Sequence, residues 1–187
     1  MIQIGASAAT IDSPIENLMA CHRRIEQRLD TLVNAAGHLG SNRSAALAAI
    51  VSSLHFLDSS GVMHTADEEG SIFPRLRQKL SPSEVEYVDS LEAQHGEAEA
   101  IYAELKNLAH EVVESSDLCL DSINWYRDCA ERLRTLYRAH IQSEDQILTV
   151  LAKRSLDELE IAAISQEMRE RRQKSVTDPA ARLDPPA

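Results

Sequence analysis

Apolar residues return every three to four positions along most of this chain. Between Pro14 and about Ala36 they fall at Ile15, Leu18, Ile25, Leu29, Leu32 and Val33, a helical period and not an alternation. Ser13-Pro14 supplies an N-cap followed by proline at the first helical position, and Gly37 ends the run. A second stretch starts near Ser41 or Asn42 and runs through Leu47, Ile50, Val51, Leu54 and Leu57. It breaks at Ser59-Ser60-Gly61 and resumes to Leu80, which predicts one kinked helix, with Pro74 as a further place to bend. Ser81-Pro82-Ser83-Glu84 is a capping box that opens a third helix, carrying Val88, Leu91, Ala98, Leu105 and Val112 and fading at Glu114. The fourth is expected from about Asp117 to Lys153. Ser155…Glu158 has the spacing of a second capping box, predicting a shorter helix over 155–172.

The predicted fold is all-α: an up-down-up-down antiparallel four-helix bundle with an additional C-terminal helix. Residues 1–13 are expected as a lead-in, 14–153 as the bundle, 154–172 as an accessory helix and 173–187 as a disordered tail. The accessory helix is expected either to cover the bundle or to form a homodimer. Its Arg169, Arg171, Arg172 and Lys174 are read as cations favoured at a helix C-terminus.

Composition narrows the classes of partner. Six prolines and six glycines in 187 residues suit long helices. A formal net charge of −11 excludes a broad phosphate-binding surface, so no nucleic-acid partner is expected. The first fourteen residues have neither a basic start nor a long apolar run, so no signal peptide and no membrane partner are expected. Cys21, Cys119 and Cys129 form no C-x-x-C pattern. Their odd number suggests buried free thiols in a reducing, cytoplasmic setting.

The candidate chemistry lies on the helical stripes. His64-x-x-x-Glu68 and His140-x-x-x-Glu144 place an imidazole and a carboxylate four residues apart, on one face of a helix. At about 1.5 Å per residue, the antiparallel arrangement puts His22, His64, His95 and His140 at one level of the bundle. Buried polar groups need partners, and a cation would supply one to all four. Glu99 follows His95 at the same spacing, as a ligand or as a group orienting that histidine, and Glu26 follows His22 among crowded charges. Glu69 and Asp145 are the alternatives to Glu68 and Glu144. His38, His55 and His110 fall off this layer and are expected to be structural or at the surface. Imidazole and carboxylate together suit iron, manganese or zinc, and two glutamates shared between helices would hold two metals close together.

These residues resemble the hemerythrin-like (HHE cation-binding) family over roughly residues 14–153. The resemblance rests on His22 in His-x-x-Ile-x-x-x-Leu, on His64-x-x-x-Glu68 before Ile-Phe-Pro, on lone His95 and on His140-x-x-x-Glu144. It implies a four-helix bundle around two non-haem iron ions with histidine terminal ligands and oxo and carboxylate bridges. Oxygen-carrying members place a second histidine where this chain has Glu99. A carboxylate ligand there would favour the oxidised metals, turning the expectation from reversible oxygen carriage towards reaction or sensing. Their last helix uses His-x-x-x-x-Asp, which His140…Asp145 also satisfies.

The expected function is a non-haem di-iron protein that binds, senses or reacts with oxygen, peroxide or nitric oxide, its partner being a small diatomic or peroxide ligand. A di-iron peroxidase, oxidase or iron donor for cluster repair is the enzymatic alternative, and a structural metal bundle the inert one.

Overall fold

The computed structural model describes residues 13–115 and 119–177. They are all-helical, with no strand among the described residues. Five helices succeed one another: α1 (Pro14–Ala36), α2 (Arg43–Arg77), α3 (Pro82–Glu114), α4 (residues 120–155) and α5 (Glu158–Thr177). α1 packs against α2 and α4, and α3 packs against α4 and α2, so the first four close into a ring. The expected lead-in lies almost wholly outside the described residues, as does the tail beyond Thr177. α5 runs past its expected end at 172.

The local signals explain most boundaries. Pro14 opens α1 as anticipated. At the start of α3 the Ser81 N–H and hydroxyl both donate to Glu84 Oε2, at 3.0 and 2.7 Å. The second capping box is not Ser155…Glu158, because Ser155 still belongs to the last turn of α4. Asp157 and Glu160 form it instead: Glu160 N–H donates to Asp157 Oδ1 and Asp157 N–H to Glu160 Oε2, both at 2.9 Å.

α2 runs on through Ser59-Ser60-Gly61 as one helix, as expected. It passes through a wide π-helical turn at Leu57–Gly61 and a second at Glu68–Ile72, and α4 has one at Glu144–Leu148. Such turns absorb one extra residue without ending the helix. Pro74 has no N–H to offer the turn before it and its ring would crowd the carbonyl four residues back. The wide turn at Glu68–Ile72 relieves both conflicts. By length and composition α2 is apolar enough to cross a membrane. In this fold its apolar residues divide between core positions such as Ile50 and Leu57 and exposed ones such as Val51 and Val62.

The core has two apolar parts. One, built around Ile25, Leu29, Ile50, Leu105 and Leu133, extends towards the α1–α2 turn. The other gathers Leu18, Ile72, Phe73 and Leu91 with Ile164 and Met168 of α5, so α5 covers the bundle. Between these parts lies a layer of buried polar side chains. Of the thiols, Cys21 and Cys129 are buried as expected. Cys119 is instead exposed at the N-cap of α4, where its sulfur accepts the Ser122 N–H.

Candidate metal centre

Each bundle helix sends a histidine into the polar layer: His22 from α1, His64 from α2, His95 from α3 and His140 from α4. Glu68 and Glu144 join them, and both carboxylates are fully buried at 0% exposure. His22, His64, Glu68 and Glu144 form one group whose donor atoms lie within 4.8 Å of one another, and Glu68, His95, His140 and Glu144 form a second. The two glutamates belong to both. Glu68 Oε1 lies 3.4 Å from His64 Nε2, while its Oε2 lies 3.5 Å from His95 Nε2. Glu144 Oε2 sits 3.2 Å from both His22 Nε2 and His140 Nε2.

This arrangement fits cations poorly matched by anything else in the core. All four oxygens of Glu68 and Glu144 are buried without a hydrogen-bond donor, an omission costing roughly 1–3 kcal/mol for each such group. His95 Nε2 and His140 Nε2 face each other at 3.1 Å, two ring nitrogens directed at one place. Lone pairs converging without donors are what a divalent cation satisfies, and an imidazole–carboxylate donor set suits iron, manganese or zinc.

The outer ring nitrogens are held from behind, which fixes ring orientation and tautomer. His22 Nδ1 pairs with Asp145 Oδ1 and His95 Nδ1 with Glu69 Oε1, both at 2.8 Å, and His140 Nδ1 pairs with Gln94 Oε1 at 2.9 Å. Glu69 and Asp145 thus stand behind histidines of neighbouring helices, with Glu68 and Glu144 in the centre. His64 Nδ1 is buried without such a partner. Gln94 was not legible as a participant, since a glutamine beside His95 carries no spacing signal.

Without a cation the protons distribute unevenly. Burial works to lower His22, yet the Glu144 and Glu68 carboxylates beside it push it up to about 10. Burial and the neighbouring His22 charge push His64 down to about 3. Burial, reinforced by Glu144, holds Glu68 well above the usual carboxylate range. Glu144 is held well below it by His140 and His22, against the effect of burial. Burial lowers His95, partly opposed by Glu69.

Glu99 corrects the expectation for α3. It is exposed and outside both groups. The buried stripe of α3 runs through Leu91, His95, Ala98 and Leu105, so its centre lies on the side of His95 away from Glu99. At about 100° per residue, a position four residues on is turned by about 40°, and here that rotation is outward. The buried stripe of α4 leans the other way, and the same rotation carries Glu144 inward. Glu26 is also outside both groups, and His38, His55 and His110 are exposed. A larger open groove of about 370 Å³ lies at the α1–α2 turn, but His38 is the one histidine among its lining residues and no acid accompanies it.

The bundle and its buried histidine–glutamate layer define a helical cation-binding protein. Residues 13–152 match the family model of the hemerythrin HHE cation binding domain. The chain belongs to that family. Comparison with curated proteins gives no match.

Proposed function

We propose that the protein holds two iron ions, one in each histidine–glutamate group, and that it binds, senses or reacts with oxygen, peroxide or nitric oxide. The observation that carries this reading is the double membership of Glu68 and Glu144, which stand between the His22/His64 pair and the His95/His140 pair. Two iron ions held by His22, His64, Glu68, His95, His140 and Glu144 would supply redox chemistry towards small oxygen or nitrogen species. The residues' own part is to position and to exclude. Asp145, Glu69 and Gln94 orient three of the rings, and the apolar layers above and below keep bulk water out.

The fold is read as an up-down-up-down antiparallel bundle. The short α1–α2 and α2–α3 connections and the meeting of all four histidines at one level support it. A cavity of about 10 Å³ lies beside His22, Glu68 and Glu144, walled by Leu18, Met19, Leu148 and Thr149. That is room for about one water-sized molecule, which supports a diatomic or peroxide ligand over a bulkier substrate.

Protein prepared without oxygen and then exposed to air tests the proposal. Two irons per chain and new charge-transfer absorption on exposure are expected, with iron lost from a Glu68→Ala, Glu144→Ala double variant. A single zinc with no spectral response to air would replace this reading with a structural metal bundle.

A further inference from the structure

α5 lies entirely beyond the family match, yet it makes a set of ion pairs and hydrogen bonds to the segment of α2 that carries His64 and Glu68. Asp67, between those two residues, is fully buried, with its side chain turned away from the centre. Arg171 Nη1 donates to its Oδ1 and Arg172 Nη2 to its Oδ2, both at 2.6 Å. Arg171 Nη2 also donates to the Ser71 hydroxyl. Glu167 accepts from the same hydroxyl at 2.5 Å, and receives both guanidinium nitrogens of Arg75, at 2.7 and 3.0 Å. Arg75 Nη1 in turn donates to the Ser71 carbonyl at 2.7 Å. The two arginines are therefore not simply dipole-favoured cations at a helix end.

These contacts bracket the wide turn at Glu68–Ile72. Asp67 precedes it, Ser71 lies within it and Arg75 follows it. A π-helical turn is rare and less favourable than the α-helix around it, so a turn of this kind persists where tertiary contacts over-determine it. Gly70 completes the fit. A Cβ there would meet Arg171 Nη2 at 2.9 Å, so the guanidinium occupies the space a side chain would need.

We propose that α5 is a working part of the metal centre. By gripping Asp67 and Ser71, it fixes the turn that aims the Glu68 carboxylate between the two histidine pairs. Asp67, Arg171, Arg172 and Glu167 are positioning residues that act through Glu68. This rests on the reading of Glu68 as a shared metal ligand.

Two measurements on the full chain test it: amide hydrogen exchange over residues 68–73 in cation-free protein, and oxygen-free Fe(II) titration against a competing chelator. An Arg171→Ala, Arg172→Ala double variant is expected to exchange at least about tenfold faster in that segment and to bind Fe(II) ~10- to 100-fold more weakly. The corresponding double lysine variant, which keeps the charges, recovers part of the affinity. Asp67→Asn, of the same shape without the charge, carries the same expectation should the double alanine variant fail to fold. Ile164→Ala loosens α5 within the apolar core without touching these ion pairs. It is expected to lower the melting temperature while holding Fe(II) affinity within about threefold of the parent. Parent-like Fe(II) binding by the arginine variants overturns the proposal, as does an equal loss in Ile164→Ala. Failure of the unaltered chain to bind Fe(II) overturns the ligand reading of Glu68 and the positioning role with it.

Discussion

The α2 and α4 halves of the centre begin from the same pattern and are finished differently. Each places a histidine, a glutamate four residues on and a second acid after that, and in each a wide turn starts at the central glutamate. In α2 the outer side of that turn is closed by α5 through Asp67, Gly70, Ser71 and Arg75. In α4 the residue corresponding to Asp67 is Ser143, which accepts a hydrogen bond from Tyr87. Beyond it the Thr149 hydroxyl donates to the Asp145 carbonyl, and Ile147 and Val150 face solvent. One half is braced by ion pairs from a separate helix. The other is braced by uncharged hydroxyl groups, that of Tyr87 from α3 and that of Thr149 from its own helix. The same local motif can therefore be stabilised by ion pairs or by uncharged hydrogen bonds, and the two halves should respond differently to mutation and to salt.

The largest expected effect erases the comparison, because the central carboxylates serve both halves. Glu68→Gln and Glu144→Gln each keep the side-chain shape but remove the charge, and either one should abolish retention of a two-cation centre, as metal analysis after gel filtration would reveal. Retention of both cations by either variant would mean that the carboxylates are not shared.

A smaller effect should separate the histidine pairs. Asp145→Asn alters the group behind His22, and Glu69→Gln the group behind His95. Each should weaken cation binding ~10- to 100-fold, and chelator competition should show the loss in one of two binding steps. Equal weakening of both steps would argue against two distinguishable subsites.

Proton linkage sharpens the contrast between empty and loaded protein. His22, raised to about 10 from 6.5, contributes stability to the cation-free fold that is complete below about 6.5 and is lost as pH rises through about 10. Raised Glu68 works in the same direction. A bound cation needs both groups deprotonated. Melting temperatures should therefore fall with rising pH across this window for cation-free protein, while apparent cation affinity rises and binding releases protons. Calorimetry in buffers of different ionisation enthalpy would measure that release.

The smallest effect concerns Glu99. Exposed on α3, it can be exchanged for glutamine with stability kept within ~0.5 kcal/mol and with cation binding unaltered. A loss of binding would return it to the centre.

Which features could be read in advance follows from their physical range. The bounds of α1, the capping box at Ser81–Glu84 and the inward run of histidines are encoded by neighbours within a few residues, where helical period and cap chemistry operate. Glu99 was misplaced because spacing from a histidine fixes the angle between two side chains but not which of them faces the core. That direction depends on the whole stripe. The wide turns leave composition unchanged and shift the register by one residue, so Ser59-Ser60-Gly61 marks the place of the first one but not its kind. The carboxylate that Arg171 and Arg172 share lies more than a hundred positions earlier in the chain. Nothing in the basic cluster itself points to Asp67.

The order of α5 in the chain gives the ion pairs at Asp67 a place in time. Synthesis proceeds from the N-terminus, so the four bundle helices are made before α5. Both histidine–glutamate groups are complete once Glu144 has been made, while Asp67 waits without its arginines until residues 171 and 172 follow. The nascent bundle thus passes through a stage in which every metal-binding side chain is present and one flank of α2 is still bare. Docking of α5 closes that flank last.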